Sequence, residues 1–130
     1  MSFEEGLRNI SVPANADLST KQYFFVKLTD SSGIGRAAVT GDGESAIGVL
    51  QNTPDAAGKV ATVGVRGISK VKAGGTITAG NPVASDAAGE AVVAATGDIV
   101  LGTAINSAVD GDTFPVLLDS RNAVANAIIT

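Results

Sequence analysis

An all-β fold, built as a sandwich or barrel of short strands, is what this sequence predicts. Three observations carry it. Runs rich in β-branched and aromatic residues recur at short, regular intervals. Almost every gap between them is a Gly, Asp or Pro cluster, which ends a strand and reverses the chain. The chain also holds 16 Gly among 130 residues and few long helix-forming side chains, so sustained helices are disfavoured.

The elements follow in order. Residues 1–21 show no sustained period: Phe3, Leu7, Ile10 and Val12 are scattered among polar residues, and "PANADLSTK" follows. Ser2 and Glu5 have the spacing of a capping box, but Gly6 weakens any helix started there. This segment reads as an extended N-terminal arm, disordered when unbound, with at most one helical turn. From Gln22, "QYFFVKLT" reads as a strand that meets the turn "DSSG". Further strands are expected near 36–40, 46–51, 60–66, 68–72, 76–79, 82–84, 91–95, 99–105 and 114–118, separated by "TGDG", "TPDAAG", "KAGG", "SDAAG", "TGD" and "VDGD". The organisation is thus an arm (1–21), a β body (22–119) and a tail (120–130) that ends in apolar Ile128 and Ile129. Both ends look built to touch something, which makes Phe3, Leu7, Ile10, Val12, Ile128 and Ile129 the candidate partner contacts.

The body repeats itself. "DAAGK" at 55–59 returns as "DAAGE" at 86–90, and "TGD" at 40–42 returns at 96–98, ahead of "IGVLQN" and "LGTAIN" respectively. Asp caps its own turn, two alanines fit a type I bend, and Gly takes the left-handed position that closes a short hairpin. Two related β-substructures are therefore expected.

Composition excludes several kinds of chemistry. Without His the usual general base, zinc ligand and nucleophile activator are missing, and without Cys there are neither disulfides nor thiolate metal sites. A net charge of −4 with no basic cluster gives no nucleic-acid footprint, no apolar run approaches a membrane span, and "MSFEEGLRN" is unlike a signal peptide. Synthesis in the cytoplasm is expected.

Glycine spacing raises other possibilities that the neighbouring residues reject. Gly75 and Gly80 have the spacing of a phosphate-binding loop, yet Asn81 and Pro82 stand where Lys and Ser or Thr are needed. "GIGRAA" at 33–38 is followed by "VTGDGES", not by the helix a dinucleotide loop opens. Lys70 and Lys72 lie in an alternating strand, unlike the hairpin-tip lysine of a lipoyl or biotin carrier. Asp98, Asp110 and Asp112 are assigned to turns, and Tyr23, Phe24, Phe25 and Phe114 to core strands. No cofactor, no metal and no catalytic residue is expected.

The ordered series "IGVLQN", "VRGISKVKAG", "AGNPV", "LGTAINSAVDGD" and "VLL", spread over about residues 22–119, resembles the capsid cement, or head decoration, proteins of tailed bacteriophages. The resemblance implies a small β-barrel or tulip-like body on the outer surface of an icosahedral capsid. It further implies binding to the major capsid protein as a homotrimer, reinforcement of the shell without catalysis, and arms that reach over neighbouring subunits. A virion fibre or host-surface-binding module is the alternative reading, and a carboxylate-based hydrolase a more distant one.

Overall fold

The computed structural model describes residues 5–118; Phe3, Ile128 and Ile129 lie outside the described residues. Among these residues there is no helix, and nine strands form one antiparallel sheet: β1 (Glu5–Pro13), β2 (Phe25–Ser31), β3 (Ile34–Val39), β4 (Gly48–Leu50), β5 (Val60–Lys72), β6 (Pro82–Ser85), β7 (Ala91–Val93), β8 (Gly102–Ala104) and β9 (Thr113–Leu118). The sheet is curled into a half-barrel, which bears out the all-β reading.

The strand order is β3-β2-β4-β5-β9-β8-β6-β7, with β1 added on β5. Outward from the central β5–β9 pair, both arms of this order are the same. β4, β2 and β3 flank β5 as β8, β6 and β7 flank β9, so the chain is two copies of one four-stranded unit. Backbone hydrogen bonds recur at corresponding positions. Ile47 N–H donates to Val26 C=O (2.9 Å) as Leu101 N–H does to Val83 C=O (2.8 Å). Thr40 donates to Phe25 as Ala94 does to Pro82, and Gln51 to Thr62 as Ile105 does to Pro115. At both Gly48 and Gly102 a side chain would collide with the neighbouring strand, with the carbonyl of Gly64 in one unit and of Leu117 in the other.

The two cores correspond in the same way. Val26, Ala37, Ile47, Leu50, Ala61 and Val63 pack together in the first unit. Their counterparts Val83, Ala91, Leu101, Ala104, Phe114 and Val116 belong to the second cluster. Where the first unit has Leu50 against Ala61, the second has Ala104 against Phe114. A large and a small side chain have exchanged places, which conserves volume at constant packing density.

The repeated strings do not mark this duplication directly. Gly43–Glu44, not the "TGD" before it, corresponds to Gly97–Asp98. In both, a carboxylate accepts the N–H three residues back: Glu44 from Gly41 at 2.8 Å and Asp98 from Ala95 at 2.9 Å. Asp112 closes a third such turn on Val109 at 3.0 Å. The two "DAAG" turns differ as well. Asp86–Glu90 is the β6–β7 hairpin, with Asp86 Oδ1 capping Ala88 and Glu90, whereas 55–59 lies in the connection from β4 to β5.

Four local expectations change. Residues 60–66 and 68–72 form a single strand, β5. Residues 76–79 form no strand; Ile77 makes one isolated bridge to Ala108 and buries its side chain in the second core. Tyr23 and Phe24 precede β2 and are half-buried, while Phe25 and Phe114 are core. The arm is not without structure: residues 5–13 are β1, antiparallel to β5 from Glu5↔Ile68 to Pro13↔Val60. Its period is hidden by two register shifts between Glu5 and Asn9, which turn Leu7 and Val12 toward different cores. Gly64 pairs with both Asn9 of β1 and Val49 of β4, which places β1 and β4 on opposite edges of that part of β5.

Candidate functional site

The sequence-derived contact residues that fall within the described chain are dispersed by the fold. Leu7 packs against the second unit's core and Val12 against the first unit's, so both contribute to the body's own stability. Ile10, between them on β1, keeps 39% of its surface exposed. β1 itself is a nine-residue strand whose only charged residue after Glu5 is Arg8.

Carboxylates are occupied as turn closers. Asp98 and Asp112 each accept a backbone N–H within their own turn, as their Asp-Gly and Gly-Asp neighbourhoods suggested. Glu44 also takes Lys27 Nζ at 2.8 Å, and that lysine holds its carboxyl below the ordinary range. Glu90 moves the other way. Partial burial raises it first, and the charges of Asp86 and Asp110 add to the shift, while Lys72 and Lys21 oppose it. Among the described residues no three His, Cys, Asp or Glu side chains are grouped to hold a metal ion, and no helix is long and apolar enough to cross a membrane.

The least conventional geometry lies in the turn before β2, which sequence reasoning assigned to a core strand. Tyr23 has φ 71°, in the left-handed region that costs an L-residue roughly 1–2 kcal/mol. The duplication shows what the turn prefers. Tyr23 N–H donates to Leu50 C=O and Phe24 N–H to Lys21 C=O; in the second unit Gly80 donates to Ala104 and Asn81 to Thr78. The residue equivalent to Tyr23 is therefore Gly80, at φ 92°. Where one copy uses glycine, the other holds an aromatic ring.

That ring has company. Lys70 Nζ lies 5.8 Å from the Tyr23 centroid, and Lys21 Nζ lies 5.0 Å from that of Phe24. Lys72 N–H donates to Tyr23 C=O at 2.9 Å, which ties the turn to the end of β5. Two residues before Lys70, Ile68 pairs with Leu117 of β9, whose side chain is 48% exposed. Side chains alternate along a strand, so Ile68, Lys70 and Leu117 share one surface, and Lys70 reaches from it to the Tyr23 ring, whose other contacts are with the second core. Other exposed apolar side chains stand apart, among them Leu28 and Ile34 on the β2–β3 hairpin.

A family model described as phage cement protein matches residues 5–119. The chain is also similar in structure to the N base of the head fiber gp8.5 of bacteriophage phi29, with a TM-score of 0.72 and 16% sequence identity, covering 92% of this chain and 99% of that one. At that identity the likeness is one of fold. No curated protein matches the chain.

Proposed function

Because the chain belongs to the phage cement protein family, we propose that it binds the outer face of the capsid through the major capsid protein, as a homotrimer, and reinforces the shell without catalysis. The observation that carries this reading is the family match across residues 5–119, the whole of the described body. Membership gives the chain a structural, capsid-stabilising role in the virion. What supports a non-enzymatic role is the residue inventory: no His or Cys in the sequence, and Asp98 and Asp112 committed to turn hydrogen bonds.

The proposed contacts extend beyond the body. Phe3, Ile128 and Ile129 are apolar residues of the segments flanking it, and Ile10 continues that character on the exposed side of β1. Burying such side chains on the shell removes apolar surface from water, which favours binding. Leu7 and Val12 support the arrangement from within, by fixing β1 to β5.

Co-sedimentation of the purified chain with undecorated capsids tests the reading, together with the temperature at which filled particles release DNA. Saturable binding and a higher release temperature are expected. A chain that stays in the supernatant at every concentration refutes it.

A further inference from the structure

We infer that Tyr23, Lys70, Ile68 and Leu117 form a docking surface for a segment of the shell protein that presents a carboxylate flanked by apolar side chains. The inference rests on the capsid-binding reading above and names where on the body the contact is made.

Three independent observations meet at this surface. The first is the strain at Tyr23. Duplication supplies an internal reference, and in the reference unit the same turn, with the same hydrogen bonds, carries Gly80. Packing of the ring against the second core offsets part of that cost, and backbone outliers of this kind cluster where a ligand or partner is gripped. The second is the charge on Lys70. Lys27 and Lys59 have carboxylate partners at 2.8 and 2.9 Å, and Lys21 and Lys72 lie within electrostatic reach of Glu90. Lys70 instead places its ammonium over the Tyr23 ring, 5.8 Å from the centroid. The third is Leu117, half-exposed beside Ile68 in the middle of the sheet, where neighbouring strands on both sides keep it in a fixed position.

These features specify the partner. A cation held between an aromatic ring and an aliphatic pair is matched by a carboxylate with apolar residues on either side, and desolvation by that apolar collar strengthens the ion pair. A second copy of this face does not fit, because two-fold pairing would set Lys70 and Lys72 against themselves. Four side chains also cover far less than the roughly 1,200 Å² that a stable self-association needs, so the surface works as one contact among several on a multivalent shell.

The test uses the full chain and undecorated capsids, with binding isotherms from co-sedimentation. Lys70→Gln, Leu117→Ser and Tyr23→Asn are compared with Ile34→Ser and Val109→Ser, two exposed apolar positions elsewhere. Each patch variant is expected to lose about tenfold or more in affinity and Lys70→Glu more than Lys70→Gln, while both controls stay within about twofold. For Tyr23→Asn a thermal midpoint close to that of the parent is expected alongside the weaker binding, since Asn tolerates positive φ while the ring's packing against the second core is lost. Parent-like affinity in the Lys70 and Leu117 variants overturns the inference and leaves the capsid reading standing. Parent-like affinity of Tyr23→Asn with a lowered midpoint assigns Tyr23 to packing and overturns its part. Failure of the parent chain to bind capsids refutes the capsid reading and the inference with it.

Discussion

Gly58 and Gly89 close the two "DAAG" turns at almost the same backbone angle, φ 88° and 86°, but in different surroundings, and this separates two contributions to stability. An alanine at either site costs about 1–2 kcal/mol for the left-handed conformation, offset by about 0.4–1 kcal/mol because the unfolded chain loses freedom. At Gly58 the added methyl group meets nothing closer than Arg36 Nη1 at 3.9 Å, so backbone strain is the whole effect, about 1 kcal/mol. At Gly89 the methyl group would lie 2.7 Å from Val39 Cγ1 and 3.1 Å from Phe25 O. Phe25 is a core residue whose own N–H is held by Gly89 C=O, so the site cannot simply move aside. Overpacking adds about 1–3 kcal/mol, for a total of about 2–4 kcal/mol. Urea unfolding of the two alanine variants and the parent measures the difference directly, and Asn in place of Ala reduces the strain at Gly58 while leaving the clash at Gly89. If Gly89→Ala costs no more than Gly58→Ala, the packing argument is wrong. If neither costs anything, the left-handed assignment fails as well.

Other consequences are simpler to check. Gly48→Ala and Gly102→Ala drive a methyl group into equivalent backbone carbonyls, so both should destabilise by about 2 kcal/mol or more in thermal unfolding, and a harmless substitution at one site alone would break the proposed equivalence of the units. Glu90 has a raised folded-state pKa, so its protonated form favours the fold; that contribution is complete below the ordinary value of 4.5 and is lost as pH rises through the folded value. Glu90→Gln should therefore raise the thermal midpoint at pH 7 and leave it unchanged near pH 3, read by circular dichroism. Glu44 has the opposite sign: its support is present above 4.5 and lost as pH falls through the depressed folded value, so Lys27→Gln should flatten the acid limb of the stability curve. Deleting residues 2–12 removes a paired strand and the packing of Leu7 and Val12, so the midpoint should fall even with no capsid present. An unchanged midpoint would return β1 to the status of a loose arm.

Local chemistry in the sequence determined the fold class, most strand positions and the turn residues. Period-two runs such as "FVKLT" and glycines such as Gly89, Gly97 and Gly111 act over a few residues, and their backbone requirements do not depend on what is far away. The same locality explains why acids in "ATGD" and "VDGD" were legible as turn closers. The absence of His and Cys likewise restricts the chemistry by composition alone, wherever the chain places its other residues. What tertiary structure alone decided is which distant residues are equivalent and which are brought together. The duplication is written in hydrogen bonds and in exchanged volumes, such as Leu50–Ala61 for Ala104–Phe114, so identical strings misalign it by comparing letters in place of positions. β1 was hidden because register shifts divide its apolar residues between two cores, erasing the period by which a strand is recognised. Tyr23 looked like one more aromatic of a core strand; only its pairing to Leu50, matched by that of Gly80 to Ala104, shows a ring held where the backbone favours glycine, beside a lysine 47 residues farther along the chain.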